Sequence, residues 1–227
     1  MIVDVNLLIK YMDQIDIFYF INLDKRTDRL EEISNELKKM EIPQEKVIRV
    51  VAFEHKFGIL GSVKSHILAI KHFIQSGKDR CLILEDDFQF TESKDKTNEI
   101  LTKIFNSKYE IDCLMLTGNN NSIHETYELD GILKKVYGAS CTAGYCITKE
   151  YAPLLMHNFQ EGAAKLEKWI NAFNYVETSF GVDYYWIHEQ IRSNFYFTVP
   201  KLGKQSDSRS DISDTYKQTI SILYKNK

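Results

Sequence analysis

Three consecutive carboxylates, Glu85-Asp86-Asp87, follow directly on the apolar run CLIL at residues 81–84. Acids in a row repel one another, and the end of a buried strand is not where acids gather for solubility. A divalent cation relieves that repulsion. Mg²⁺ and Mn²⁺ prefer carboxylate oxygen and typically bind through one or two carboxylates plus substrate phosphates. The layout suits a nucleotide-diphosphate donor, whose leaving group a metal neutralises as a Lewis acid. Read alone, the triplet fits an acidic turn facing solvent equally well.

Two further stretches carry chemistry-bearing residues. In INLDKRTDR (residues 21–29), Asn22 and Leu23 end an apolar run, and Lys25, Arg26 and Arg29 add positive charge where a helix begins. Backbone donors at a helix N-terminus suit phosphate, although a solvated turn has the same composition. In GILGSVKSH (residues 58–66), Gly58 and Gly61 permit close backbone approach before a helix. Their spacing matches neither a Walker loop nor a dinucleotide fingerprint. His66 lies near the apolar face of that helix, where a lone histidine reads as a satisfied interior group.

These residues need elements to position them. IDIFYFINL (residues 15–23) reads as a central strand. A helix follows, with Leu30, Ile33, Leu37 and Met40 at helical spacing, Thr27 as its N-cap and Pro43 closing the segment. KVIRVVAF (46–53) is a second strand, and Val63, Ile67, Ile70 and Ile74 mark a second helix stopped by Gly77. Residues 81–84 and 113–116 are short apolar strands ending at the acids and at Thr117-Gly118. Strand–helix alternation predicts an α/β fold, a Rossmann-like mostly parallel sheet with helices on both faces. Ligands bind beyond the carboxyl ends of such strands, which gathers the acids, Thr117 and the 22–26 loop at one edge. Further on, 143–147 reads as a strand, 149–158 and the stretch with Leu166, Trp169, Ile170 and Phe173 as two helices, 183–193 as helical, and 195–199 as a strand.

A chain of 227 residues with 44% hydrophobic and 27% charged residues can bury a core as a single domain. A net charge of −3 gives no electrostatic footprint for nucleic acid. Cys81, Cys113, Cys141 and Cys146 form no CxxC pair or zinc-ligand spacing. Without a disulfide framework the expected compartment is the cytoplasm, with peripheral association at a membrane surface left open. No run of eighteen apolar residues occurs, and the N-terminus lacks the pattern of a signal peptide.

Taken in order, INLDKRTDR, GILGSVKSH and CLILEDDFQF (81–90) resemble glycosyltransferase family 25, which includes lipooligosaccharide and collagen-hydroxylysine galactosyltransferases. GYCITKEYAPLL (144–155) is similar to the family's glycine-strand-helix segment. VDYYW (182–186), Pro200, Gln205 and Ser210-Asp211-Ile212 are similar to its closing motifs. The resemblance covers residues 15–213, the expected catalytic domain, between an N-terminal extension (1–14) and a C-terminal tail (214–227). It implies a GT-A fold, a UDP-sugar donor, Mn²⁺ (or Mg²⁺) dependence, inversion at the anomeric carbon, and a glycan or hydroxylysine-type protein acceptor. Carried over by position, Glu85 and Asp87 become the outer members of the metal motif, Asp87 the direct ligand, and Asp86 between them helps hold the ion on the donor diphosphate. Asn22, Arg26 and Arg29, with Leu23 beside them, fall where the family contacts the nucleotide. Ser65 and His66 match its Ser-His pair, and Gln205 its glutamine near the C-terminal metal loop. Asp183 occupies the position of a late aspartate and is the candidate general base, although it fits a helix N-cap equally well. The chain departs from the pattern at Thr27, Ile59 and Ser62, which leaves the donor sugar and acceptor undetermined. The aromatic group Tyr175, Phe180, Tyr184, Tyr185 and Trp186 fits either a sugar-stacking surface or core. A non-catalytic sugar-nucleotide or glycan-binding module on the same fold is the alternative, and a phosphohydrolase would need acids or histidines at further strand ends.

Overall fold

The aromatic, β-branched run near the N-terminus forms β1 (Ile17–Asn22), six residues that are all buried. This computed structural model describes residues 12–120 and 126–206. Residues 1–11 of the expected extension, residues 121–125, the Ser210-Asp211-Ile212 motif and the tail from 214 lie outside the described residues.

After β1 the chain alternates. It forms α1 (Thr27–Lys39), β2 (Val47–Val51), α2 (Gly58–Ser76), β3 (Arg80–Glu85), the short β4 (Phe88–Phe90), α3 (Lys94–Phe105) and β5 (Cys113–Met115). Short strands β6 (Asn119–Asn120), β7 (Tyr127–Glu128), β8 (Leu133–Lys135) and β9 (Ala139–Ser140) precede β10 (Gly144–Thr148). The long α4 (Ala152–Phe173), two single-turn helices α5 (Val182–Tyr185) and α6 (Ile187–Gln190), β11 (Phe195–Thr198) and β12 (Gly203–Gln205) complete the described chain.

The main sheet has the order β2-β1-β3-β10-β5-β11-β8-β7 among the described residues. Strands β2, β1, β3, β5, β11 and β7 share one direction, and β10 and β8 run against them. The sheet is therefore mostly parallel, with a reversed strand at its centre. Side chains of a strand alternate between faces. One face of β1 and β3, with Tyr19, Ile21 and Ile83, packs on Val63 and Ile70 of α2 and Leu155 and Phe159 of α4. The other, with Phe18, Phe20, Leu82 and Leu84, packs on Ile33 and Leu37 of α1 and Ile100 and Ile104 of α3. The chain leaves β1 for β2 on one side and returns to β3 on the other. That reversal of strand order falls between β1 and β3, and ligands of such sheets bind beyond the carboxyl ends of the strands at this kind of switch point.

Local chemistry explains most boundaries. Gly77, at φ 68°, closes α2 in the left-handed conformation that a side chain resists. Thr27 is the first helical residue of α1 rather than its cap: Arg26 takes the cap position without a side-chain cap bond. The two helices expected between 149 and 173 are one helix of 22 residues. Gly162, near its middle, does not break it, because its bare Cα lets the next segment close in. A Cβ there would stand 2.9 Å from the Phe180 carbonyl and 3.0 Å from the Tyr185 ring. The helix expected over 183–193 is instead two short turns.

Phe88, 1% exposed, is wedged between Gly144 and Gly203, and a Cβ on either glycine would overlap its ring. Since Phe88 follows Asp87 immediately, this wedge fixes the turn that carries the acids. Gly144→Ala should destabilise the protein by about 1–3 kcal/mol through overpacking. A thermal melt checks this, and an unchanged melting temperature would show that the ring has room to move.

Candidate functional site

Strand alternation divides the three acids. Glu85, the last residue of β3, falls on the α2–α4 face, and Asp86 falls on the α1 face. Each meets a different set of partners.

On the α1 face, Asn22 ends β1 beside Asp86. The register pairs Ile21 with Glu85, so Asn22 and Asp86 leave the two strands together. Asn22 Nδ2 donates to Asp86 Oδ2 at 2.8 Å and to the Arg26 carbonyl at 3.0 Å. Its Oδ1 accepts from Arg49 Nη2 at 2.8 Å and Nε at 3.1 Å, and Arg49 also pairs with Asp24 at 2.8 Å. Arg29, 7% exposed on α1, places Nη1 2.9 Å from Asp86 Oδ1 and 3.3 Å from Asp87 Oδ2. Burial raises the Asp86 carboxyl above its ordinary range against the opposing pull of Asn22 and Arg29.

On the opposite face, a chain of polar groups crosses the core. The buried His66 has Nδ1 2.9 Å from the Tyr145 hydroxyl and Nε2 3.3 Å from Glu85 Oε1. Thr142 Oγ1 lies 3.0 Å from the same Glu85 oxygen and 2.9 Å from Asp183 Oδ1, which also accepts the Thr142 backbone N–H at 2.9 Å. Burial pushes the Glu85 carboxyl up, but hydrogen bonds from His66 and Thr142 outweigh it and hold the group below its usual value. Asp183 is raised, by burial first and by the charge of Glu85 second. Cys141, just before Thr142, sits at φ 87°. Such backbone costs a residue with a side chain about 1–3 kcal/mol and tends to mark functional positions.

Asp87 stands at the rim between the two faces. Burial and the neighbouring Glu85 charge push its carboxyl up to about 7, with Arg29 and Gln205 pulling the other way. Its Oδ1 is buried and has no hydrogen-bond partner among the described residues. Gln205 also accepts from Cys141 Sγ at 3.4 Å, and Thr117 Oγ1 lies 3.6 Å from that sulfur. Burial and the Glu85 charge push the Cys141 thiol up to about 12, which disfavours the thiolate.

The structure thus gathers Asn22, Arg29, Glu85, Asp86, Asp87, Thr117, Asp183 and Gln205 into one connected corner. Three expected residues stand apart from the carboxylates. The Arg26 guanidinium turns to Asp28 at 2.8 Å, Leu23 contributes its carbonyl to the turn that accepts Arg26 N–H, and the Ser65 hydroxyl bonds Gly61 O and Phe53 N. Trp186 and Tyr185 of the aromatic group are core, whereas Tyr184 is 47% exposed. Sequence reasoning missed Arg49, Thr142 and Tyr145. Only Arg49 carried a signal, as a lone charge inside an apolar strand.

No three His, Cys, Asp or Glu side chains converge on one cation position among the described residues. A hard divalent ion bound mainly through phosphate oxygens needs only one or two carboxylates. Asp87 fits that role, because its buried Oδ1 lacks a partner among the described residues. Asp86 does not, since both of its oxygens are already engaged.

No helix among the described residues is long and apolar enough to cross a membrane. No family model matches the sequence, and no curated protein matches it. Among solved structures, the chain is similar to a glycosyltransferase involved in the glycosylation of the major capsid of PBCV-1, at 10% identity and a TM-score of 0.49, covering 90% of this chain and 98% of that one. It is also similar to mannose-1-phosphate geranyltransferase from Thermus thermophilus, at 10% identity and a TM-score of 0.47, covering 80% and 72%. A197 from STIV matches at 12% identity and a TM-score of 0.42, covering 86% and 96%.

Proposed function

We propose that this protein is a metal-dependent glycosyltransferase related to family 25. It would move a hexose, galactose or glucose, from a UDP-sugar to a hydroxyl of a glycan or a hydroxylysine-type protein acceptor, with inversion. The observation that carries the reading is the buried Oδ1 of Asp87 at the carboxyl end of β3, which has no hydrogen-bond partner among the described residues, at the point where the strand order reverses. A buried carboxylate oxygen without a donor wants a cation.

Asp87, with Glu85 beside it, would hold Mn²⁺ or Mg²⁺, which when bound supplies charge neutralisation to the departing diphosphate. Arg29 and Asn22 lock Asp86 and so fix the direction in which Asp87 faces. Asp183 takes the proton from the acceptor hydroxyl as that oxygen bonds to the anomeric carbon and UDP leaves with the electron pair of the broken bond. Its raised affinity for a proton suits it to that work.

The double pairing of Arg29 favours one second reading, a non-catalytic sugar-nucleotide or glycan-binding module in which the guanidinium stands in for the cation. A panel of UDP-sugars with and without Mn²⁺ separates the two. The transferase reading expects UDP release and a raised melting temperature that both need Mn²⁺, the stabilisation being about 2.7 kcal/mol at a hundredfold excess over Kd. Stabilisation by a UDP-sugar without Mn²⁺ and without UDP release would support the binding module instead.

A further inference from the structure

Thr142 occupies a demanding place. Its side chain is fully buried, and its hydroxyl stands between two carboxylates, 3.0 Å from Glu85 Oε1 and 2.9 Å from Asp183 Oδ1. A hydroxyl has one proton to give, so it bonds one acid at a time while remaining within reach of both. The Thr142 N–H adds a second donor to Asp183 Oδ1 at 2.9 Å. When the hydroxyl proton turns to Asp183, two donors meet on one oxygen, fix the carboxyl in place and leave Oδ2 outside the clamp. Asp183 lies on a helix of only four residues, too short to hold a side chain rigidly by itself. The backbone that presents Thr142 is itself unusual, with Cys141 at φ 87° directly before it.

We infer that Thr142 is the positioning residue of this site: it clamps one oxygen of Asp183, leaves the other to face an incoming hydroxyl, and links Asp183 to Glu85 on the cation side. The Cys141 backbone is what aims it. Thr142 touches no reacting atom and acts through Asp183. The kinetic consequence rests on the transferase reading; the geometric one does not.

Thr142→Val keeps the shape and the backbone N–H and removes only the hydroxyl, and Thr142→Ser keeps the hydroxyl. Crystal structures of both variants read the geometry directly. Asp183 should hold its place in Thr142→Ser and swing away from residue 142 in Thr142→Val. An unmoved Asp183 in Thr142→Val overturns the clamp whatever the activity. In UDP-sugar turnover with Mn²⁺, Thr142→Val should lower kcat about 100-fold, the low end of the span for general-base catalysis. The KM for the donor should change far less than kcat, because Thr142 reaches the donor side only through Glu85, and Thr142→Ser should recover most of the rate. Equal defects in the two variants, or a loss of donor binding that matches the loss of kcat, would reduce Thr142 to a packing residue. A wild-type protein that releases no UDP from any donor would refute the transferase reading alone, and the crystal structures would still decide the clamp.

Discussion

Asp87→Asn should lose at least about a thousandfold in Mn²⁺-dependent UDP release and yet remain folded. The size follows from what a cation supplies: several kcal/mol of charge stabilisation on a leaving diphosphate, at tenfold in rate for each 1.36 kcal/mol. The folding half of the expectation follows from the site. Asp87 is buried beside two other acids, and its carboxyl is pushed up to about 7, so ionising it works against the folded state. Asparagine has the same outline without the charge. The melting temperature in metal-free buffer should therefore be no lower than that of the wild type, while Mn²⁺ should no longer raise it. Wild-type UDP release by Asp87→Asn would remove the metal assignment at Asp87.

Arg29→Met should have the largest effect on stability. The guanidinium is buried and lies on two buried carboxylates, 2.9 Å from Asp86 and 3.3 Å from Asp87. Removing one partner of such a cluster costs about 3–5 kcal/mol, because the remaining charges stay out of water and unpaired. For a chain of this size each kcal/mol moves the melting temperature by about 2–4 °C. A drop of roughly 6–20 °C is expected. Two further measurements make the result specific. Adding Asp86→Asn to Arg29→Met should recover part of the loss, since the second change removes a stranded charge. Mn²⁺ should stabilise Arg29→Met more than it stabilises the wild type, because a cation would then be the remaining counter-charge. If Mn²⁺ stabilises neither protein, the acids do not hold an ion.

The parts of this site that are legible in the sequence are those where charge interrupts apolar pattern. Glu85-Asp86-Asp87 stands out because four apolar residues of a strand run straight into it, and Asn22 because it ends a run such as IFYFI. Alternation of strands and helices yields the parallel half of the sheet and the ligand edge. Beyond residue 119 the pattern is weaker for physical reasons. The polar stretch around Gly162 separates two apolar groups that one continuous helix carries, and α5 and α6 are too short to show a period. Thr142 does not stand out, since a threonine in SCTAGY carries no charge and no spacing signal. Its neighbours in space are 57 and 41 residues away, and only the reversed β10 brings them together.

That reversal has its own consequence. Strands β3 and β5 finish at the ligand edge, but β10, seated between them, starts there. The chain thus delivers residues 141–143 into the gap by their peptide backbone, and a side chain as short as threonine reaches two carboxyl groups. Exchange of a few atoms there changes what joins the two acids, while the strands that carry them stay as they were.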